Sequence, residues 1–125
     1  MSDVLTDATV DAVVDRAIFA ADGLMPAIIQ EASTKDVLML GYMNSEALRR
    51  TLTEGRVTFW SRSRQEFWRK GDTSGHVQHV RGAALDCDAD SILVTVDQHG
   101  PACHTGAHSC FDFDPLSPYV GEGNE

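Results

Sequence analysis

Short apolar runs with strand-like patterning recur along the chain, and they limit its fold more than any other feature of the sequence. Apolar residues alternate with others along the last of these runs, as they do in a strand that buries one face. The five predicted strands are Met25–Glu31, Val37–Tyr42, Val57–Ser61, His76–Asp86 and Ser91–Asp97. The segment between the first two, Ala32–Asp36, suits a hairpin loop.

Two helices are predicted beside these strands. Thr6–Ala20 carries valines at helical spacing, and Asp22-Gly23 is expected to end this helix. Asn44 is expected to cap a shorter helix over Ser45–Thr53, with Gly55 just beyond its C-terminus. The expected fold is therefore mostly β, of the α+β class, with a compact mixed sheet and one or two helices packed on it.

Length and charge exclude several classes of protein. A chain of 125 residues fits one domain, expected over residues 1–114, and residues 115–125 are expected to form a flexible tail. A net charge of −9 argues against binding to nucleic acid or to anionic membranes. Since no apolar run approaches the roughly 20 residues of a membrane span, and the N-terminal segment is acidic rather than signal-like, a cytoplasmic location is expected.

A basic, glycine-containing segment over Arg62–Gly75 is predicted to be a functional loop or turn region. Arginine side chains bind phosphate through two parallel hydrogen bonds, and glycine and serine let backbone N–H groups approach an anion. The candidate phosphate-binding residues are Arg62, Arg64, Lys70, Ser74 and Gly75. A solvated basic face is the alternative interpretation of the same charges.

Three aspartates alternate with other residues in the segment Asp86-Cys87-Asp88-Ala89-Asp90. Crowded carboxylates repel one another unless a cation lies between them, and Mg²⁺ prefers such oxygen ligands. One ion can bind all three only if the chain turns near Ala89, because an extended chain would separate the outer two by about 13 Å. An acidic turn exposed to solvent is the alternative.

The three cysteines, Cys87, Cys103 and Cys110, are an odd number in a reducing compartment, which favours metal binding, a reactive thiol or simple burial over disulfides. If they bind zinc, three thiolates leave one position open for water, as in a catalytic site. His104 or His108 could instead fill that position. The result would be a structural site in a small zinc-stabilised interaction module.

Together these segments resemble the phosphoribosyl-AMP cyclohydrolases. The matching segments are Val37–Asn44, Trp60–Arg64, Lys70-Gly71, Thr73–Gly75, Asp86–Asp90, Cys103–Gly106 and Ser109–Phe111. The resemblance implies an intertwined homodimer in which Cys87, Cys103 and Cys110 bind Zn²⁺ shared between two subunits. It also implies that Asp86, Asp88 and Asp90 bind Mg²⁺ and that His104 is catalytic.

The implied reaction is the third step of histidine biosynthesis. Hydroxide formed at zinc would attack C6 of the N1-phosphoribosylated adenine of phosphoribosyl-AMP, and the N1–C6 bond would open. His104 is the candidate for proton transfer. A zinc nucleoside deaminase also directs water at a purine C6, but its H-x-E and P-C-x-x-C motifs are absent from this sequence.

Overall fold

A computed structural model describes residues 6–116, so most of the predicted tail lies outside the described residues. The helices are α1 (Asp7–Arg16) and α2 (Ser45–Glu54), and the strands are β1 (Met25–Glu31), β2 (Val37–Met43), β3 (Thr58–Ser61), β4 (Glu66–Arg69), β5 (Gln78–Leu85) and β6 (Ile92–Gln98). A short 3₁₀ turn, Cys110–Asp112, follows. The predicted α+β class is confirmed.

Four of the strands form one mixed sheet in the order β2-β1-β6-β5. β1 and β2 form the predicted antiparallel hairpin, β1 and β6 are parallel, and β5 and β6 are antiparallel. The β5–β6 turn therefore lies at one end of the sheet, and the chain leaves β6 at the other. This separation of the two ends positions the functional residues.

The sheet has one covered face and one open face. Burial alternates along most of β1 and β6, where the first, third and fifth residues are buried and the second and fourth are partly exposed. Both helices and the separate β3–β4 hairpin contribute to the core on the covered face, which we call the inner face. Its principal residues are Val10, Ala27, Ile29, Ala47, Leu48, Leu52, Phe59, Ile92, Val94 and Val96.

Helix α1 is shorter than predicted. It begins at Asp7, one residue after the predicted start, with Thr6 as its N-cap, and it ends at Arg16, because Ala17 adopts an extended backbone. The N–H of Ile18 then donates to the carbonyl of Ala89 at 2.7 Å, which ties this segment to the β5–β6 turn. The expected end at Ala20 was wrong because a tertiary hydrogen bond ends the helical path before Asp22-Gly23.

The prediction of a loop or turn region throughout Arg62–Gly75 was wrong for Glu66–Arg69, since these residues form β4 and pair with β3. Aromatic side chains hold this hairpin together: Trp60 contacts Phe67, and Phe59 contacts Trp68. Gly41 on β2 leaves room for Phe59, because a Cβ there would lie 2.5 Å from its ring.

Helix α2 has the predicted Asn44 N-cap and left-handed Gly55. Within residues 6–116, no helix is long and apolar enough to cross a membrane.

Candidate active site

A cleft of about 150 Å³ lies at the end of the sheet where β5 begins and β6 ends. One wall comes from the segment before β5 and the other from the loop after β6. Its lining residues are Trp68, Lys70, Gly71, Thr73, Ser74, His76, Pro101, Ala102, Cys103 and His104. Two predicted site segments, distant in sequence, therefore meet in one cleft.

Lys70 supplies a cation inside this cleft. The residue is only 7% exposed, and its Nζ donates to the carbonyl oxygen of Ala102 at 2.6 Å. Burial lowers the pKa of Lys70, and the nearby Cys110 and Cys103 partly offset that effect. Among residues 6–116, Lys70 has no carboxylate partner, and its Nζ also lies over the ring of Trp68, 5.3 Å from the ring centroid.

The turn after Lys70 has a fixed shape. Gly71 has a φ of +92°, and a Cβ at this position would lie 2.5 Å from the Cα of Val77. Asp72 accepts hydrogen bonds from Arg69 Nε at 2.9 Å and from Arg56 Nη2 at 3.0 Å. These contacts hold the backbone that leads to Ser74.

Cys103 and Cys110 lie side by side on the loop after β6. The hydroxyl of Thr105 donates to Cys103 Sγ at 3.0 Å, and hydrogen bonding from Thr105 lowers the pKa of Cys103. Burial and the neighbouring Cys103 raise the pKa of Cys110. Ser109 ties this loop to the sheet, since its Oγ donates to the Val37 carbonyl at 2.7 Å.

Cys87 does not join these two thiols within one chain. It is exposed on the β5–β6 turn, whereas Cys103 follows the far end of β6. A strand of this length spans roughly 20 Å. The two potential metal-binding groups of three residues within residues 6–116 contain no cysteine.

The aspartates of the β5–β6 turn form one of these groups, with carboxylate oxygens within 4.8 Å of one another. The predicted turn is present, because Ala89 has a left-handed φ of +61°. Asp86 accepts from the Ser91 hydroxyl at 2.8 Å, which lowers the pKa of Asp86. Hydrogen bonding with Asp88 and Asp86 raises the pKa of Asp90, as expected for crowded carboxyl groups. The turn is therefore a candidate metal site.

The two histidines of the Cys103–Cys110 loop have different surroundings. His104 is exposed and lines the cleft. His108 lies beside the β1–β2 hairpin, with Nε2 3.1 Å from Glu31 and 3.5 Å from Asp36. This second group of potential ligands was not predicted, because its members are distant in sequence and no motif connects them.

The predicted phosphate-binding residues fall into two groups. Lys70 and Ser74 line the cleft, and Gly75 adjoins Ser74. Arg62 and Arg64 lie at the β3–β4 turn, where Arg62 stacks on the ring of Tyr42 and Arg64 lies 3.8 Å from Glu66. Within one chain, the two arginines therefore do not join the cleft.

Comparison with known proteins identifies the family. The family model described as Phosphoribosyl-AMP cyclohydrolase matches residues 39–112, which include the cleft and all three cysteines. A phosphoribosyl-AMP cyclohydrolase of Clavibacter sepedonicus is 68% identical over 115 residues, which are 92% of this chain and 83% of that protein. The protein of the same name from Leifsonia xyli subsp. xyli is 64% identical over 115 residues, 92% of each chain. That of Bifidobacterium longum is 72% identical over 91 residues, 73% of this chain and 70% of its own. These matches confirm the prediction from the motifs: the chain belongs to the phosphoribosyl-AMP cyclohydrolase family.

Proposed function

We propose that the cleft binds phosphoribosyl-AMP and that water is added there to C6 of its adenine, which opens the N1–C6 bond. Family membership confirms the predicted enzyme class, a hydrolase that acts on a cyclic amidine in histidine biosynthesis. The observation that carries the proposed site is the meeting of Lys70, Cys103 and His104 in one cleft. The cleft thereby combines the proposed metal-binding thiol of Cys103, the proposed proton-transfer group of His104 and the cation of Lys70.

The donor set beside the cleft fits zinc. Cys103 and Cys110 are neighbours, and Thr105 favours the thiolate form of Cys103, the form that binds a metal. Cys87 of the partner subunit would be the third ligand, since Cys87 of the same chain lies at the other end of the sheet. These three thiolates would hold the ion, which would supply a water of lowered pKa as the nucleophile near neutral pH.

The chain's own residues would position the substrate and move protons. His104, at the exposed side of the cleft, would accept a proton from the attacking water and deliver one to N1 as the N1–C6 bond breaks. The oxygen of water then remains on C6 as the carboxamide oxygen. Lys70 and Ser74 would bind one phosphate of the substrate, because both line the cleft.

The acidic turn would complete the same site. Asp86 and Asp88 flank Cys87, so a subunit that supplies this thiol also brings its carboxylates to the partner's cleft. Carboxylate oxygens at this spacing suit Mg²⁺, which commonly binds a few carboxylates together with substrate phosphates. We therefore propose that both ions act in a homodimer, in the cytoplasm.

Mixing two inactive variants tests the shared site. Cys87→Ala and Cys103→Ala each remove one zinc ligand, so neither variant alone is expected to turn over phosphoribosyl-AMP. When the two are unfolded together and refolded, about half of the dimers are mixed, and each mixed dimer has one intact site of two. About a quarter of the unsubstituted activity and zinc content should return. Full activity of either variant without zinc would contradict the proposal, as would a refolded mixture that stays inactive while the refolded unsubstituted chain recovers.

A further inference from the structure

Two glutamines form the last residue pair of the sheet at its cleft end. Strand register places Gln78, the first residue of β5, opposite Gln98, the last residue of β6. Gln98 lies on the inner face, because it is two residues beyond the buried Val96. The Nε2 of Gln78 donates to the Oε1 of Gln98 at 2.7 Å. The two side-chain amides are therefore one hydrogen-bonded unit directly beneath the cleft.

Gln98 joins the two walls of the cleft. Its Nε2 donates to the carbonyl of His76 at 3.3 Å and to the carbonyl of His99 at 3.2 Å. His76 lines the cleft on the wall that precedes β5, and His99 begins the loop that forms the other wall. One amide group thus holds both walls at a fixed separation.

The two walls are closely packed where this amide joins them. Gly100 has a φ of +74°, and a Cβ there would lie 2.5 Å from Cδ2 of His76. The N–H of His99 donates to the Val77 carbonyl at 3.0 Å. The N–H of His76 in turn donates to the Ser74 hydroxyl, at 3.1 Å, inside the cleft. A change in the separation of the walls would therefore also move Ser74.

Gln78 fixes the orientation of the Gln98 amide. Because the Oε1 of Gln98 accepts from Gln78, its Nε2 has to face the two wall carbonyls. Gln78 is completely buried, and in the described part of the chain its own Oε1 has no hydrogen-bond partner. Methionine has a similar length and would fill the same space without a buried, unpaired oxygen. Core packing alone therefore does not explain an amide at this position, whereas orientation of Gln98 does.

We infer that Gln78 and Gln98 are positioning residues for substrate binding. Gln98 sets the separation of the cleft walls, and Gln78 acts through Gln98. The inference rests on the proposed binding of phosphoribosyl-AMP in this cleft, and it adds two residues that do not line the cleft to those that determine its shape.

This pair should affect substrate affinity more than the chemical step. Ser74, a proposed phosphate ligand, is connected to Gln98 through His76. Ser109 instead ties the Cys103–Cys110 loop, which holds the proposed zinc ligands, to β2. Loss of the glutamine pair should therefore raise KM and leave kcat nearly unchanged.

Methionine substitutions test the inference, because methionine keeps the length of glutamine without its amide. Gln98→Met should raise KM for phosphoribosyl-AMP about tenfold, as expected for the loss of two hydrogen bonds, and should change kcat less than about threefold. Gln78→Met should give a smaller rise, and the double variant should match Gln98→Met alone, because Gln78 acts only through Gln98. Gln30→Met is the matched control: it loses an amide-to-carbonyl hydrogen bond of 3.0 Å to Lys35, outside the cleft, and should change neither constant.

Hydrogen exchange reports on the walls without any turnover. In Gln98→Met, the amides of His76 and His99 should exchange faster than in the unsubstituted chain. The amide of Ala102, which is bonded to the His108 carbonyl, should keep its exchange rate. Melting temperatures confirm that each variant is folded at the temperature of the assay.

The two measurements separate the possible failures. Unchanged exchange at His76 and His99 in folded Gln98→Met would overturn the inference, as would a fall in kcat with a constant KM. Effects of Gln78→Met and Gln98→Met that add in the double variant would contradict the action of Gln78 through Gln98. If the unsubstituted chain does not turn over phosphoribosyl-AMP, the proposed function fails, and the exchange rates alone decide whether the pair holds the walls.

Discussion

The two ends of the four-stranded sheet differ in how their functional residues are held. The Cys103–Cys110 loop is fixed by long-range contacts: Ser109 is buried and bonded to β2, and Cys103 is 6% exposed. The three aspartates of the Asp86–Asp90 turn are exposed, and the side-chain hydrogen bonds of Asp86 stay within the turn, although the N–H of Ile18 donates to the carbonyl of Ala89. One end thus has a cleft with two of the three cysteines beside it. The other end has the third cysteine and the aspartates on an exposed turn. This difference agrees with the proposed site shared between two subunits.

The largest expected effect separates the two ends by their cysteines. Cys103→Ala and Cys87→Ala should each lower turnover about a thousandfold or more, since loss of a catalytic metal removes several kcal/mol of transition-state stabilisation. Without zinc, however, only Cys103→Ala should lower the melting temperature, because Cys103 is buried and Cys87 is exposed. Turnover assays and calorimetry in a chelator check this. Equal melting temperatures of the two metal-free variants would mean that the Cys103 end of the sheet is no more tightly packed than the Cys87 end.

The next effect concerns the backbone of the cleft wall. Gly71→Ala forces a left-handed residue, at roughly 1–2 kcal/mol, and creates an overlap with Val77 that costs a further ~1–3 kcal/mol. Gly75→Ala is the matched control, because Gly75 has a φ of +80° but open space around its Cβ position. Denaturant unfolding should show the larger loss for Gly71→Ala. A larger loss for Gly75→Ala would mean that the turn is not held against Val77.

Most of the sheet could be predicted because its signals are local. Short strand-like runs predicted β1 and β2, alternation predicted β6, and the capping residues predicted α2, all nearly to the residue. Strand β4 was missed because it has only four residues, of which the two outer ones are charged. Its pairing with β3 depends on aromatic contacts across the hairpin. Helix α1 was predicted too long for a similar reason, since a contact distant in sequence ends it.

The candidate site follows the same division. The clustering of three aspartates was predicted, because a single turn at Ala89 brings them together. The burial of Lys70 could not be predicted, because its partner Ala102 lies 32 residues further along the chain. Nor could spacing alone pair Cys103 with Cys110 or separate both from Cys87, since these relations depend on the length and direction of β6.

A smaller effect should follow from removing the hydrogen bond that joins the Cys103–Cys110 loop to β2. Ser109→Ala leaves the Val37 carbonyl and the Phe111 N–H without their hydrogen-bond partner, at about 1–3 kcal/mol of stability. Zinc should then be lost at a lower chelator concentration. Ser63→Ala, at an exposed position, is the control and should change neither property. Unchanged zinc affinity in Ser109→Ala would show that this hydrogen bond is not needed to position Cys110.

At the other end, Asp88→Asn should weaken the dependence on Mg²⁺ without loss of stability. The substitution removes one of three clustered charges, and cation affinity depends on the number of charged ligands. The Mg²⁺ concentration for half-maximal activity is expected to rise roughly tenfold. Asp15→Asn, at an exposed position of α1, tests whether removing any acidic charge has this effect, and should leave the Mg²⁺ titration unchanged. An unaltered titration for Asp88→Asn would remove the acidic turn from this role.

The smallest effect is a pH dependence at the cleft wall. Hydrogen bonding from Arg69 lowers the pKa of Asp72, and Arg56 lowers it further. A carboxyl group whose pKa falls on folding stabilises the folded state above its unfolded pKa, about 4, and the benefit is lost as pH falls through the lower folded value. Asp72→Asn should therefore melt below the unsubstituted chain at neutral pH, and the difference should shrink in acid. A difference that is constant from neutral to acidic pH would mean that the charge of Asp72 does not hold the turn that leads from Lys70 to Ser74.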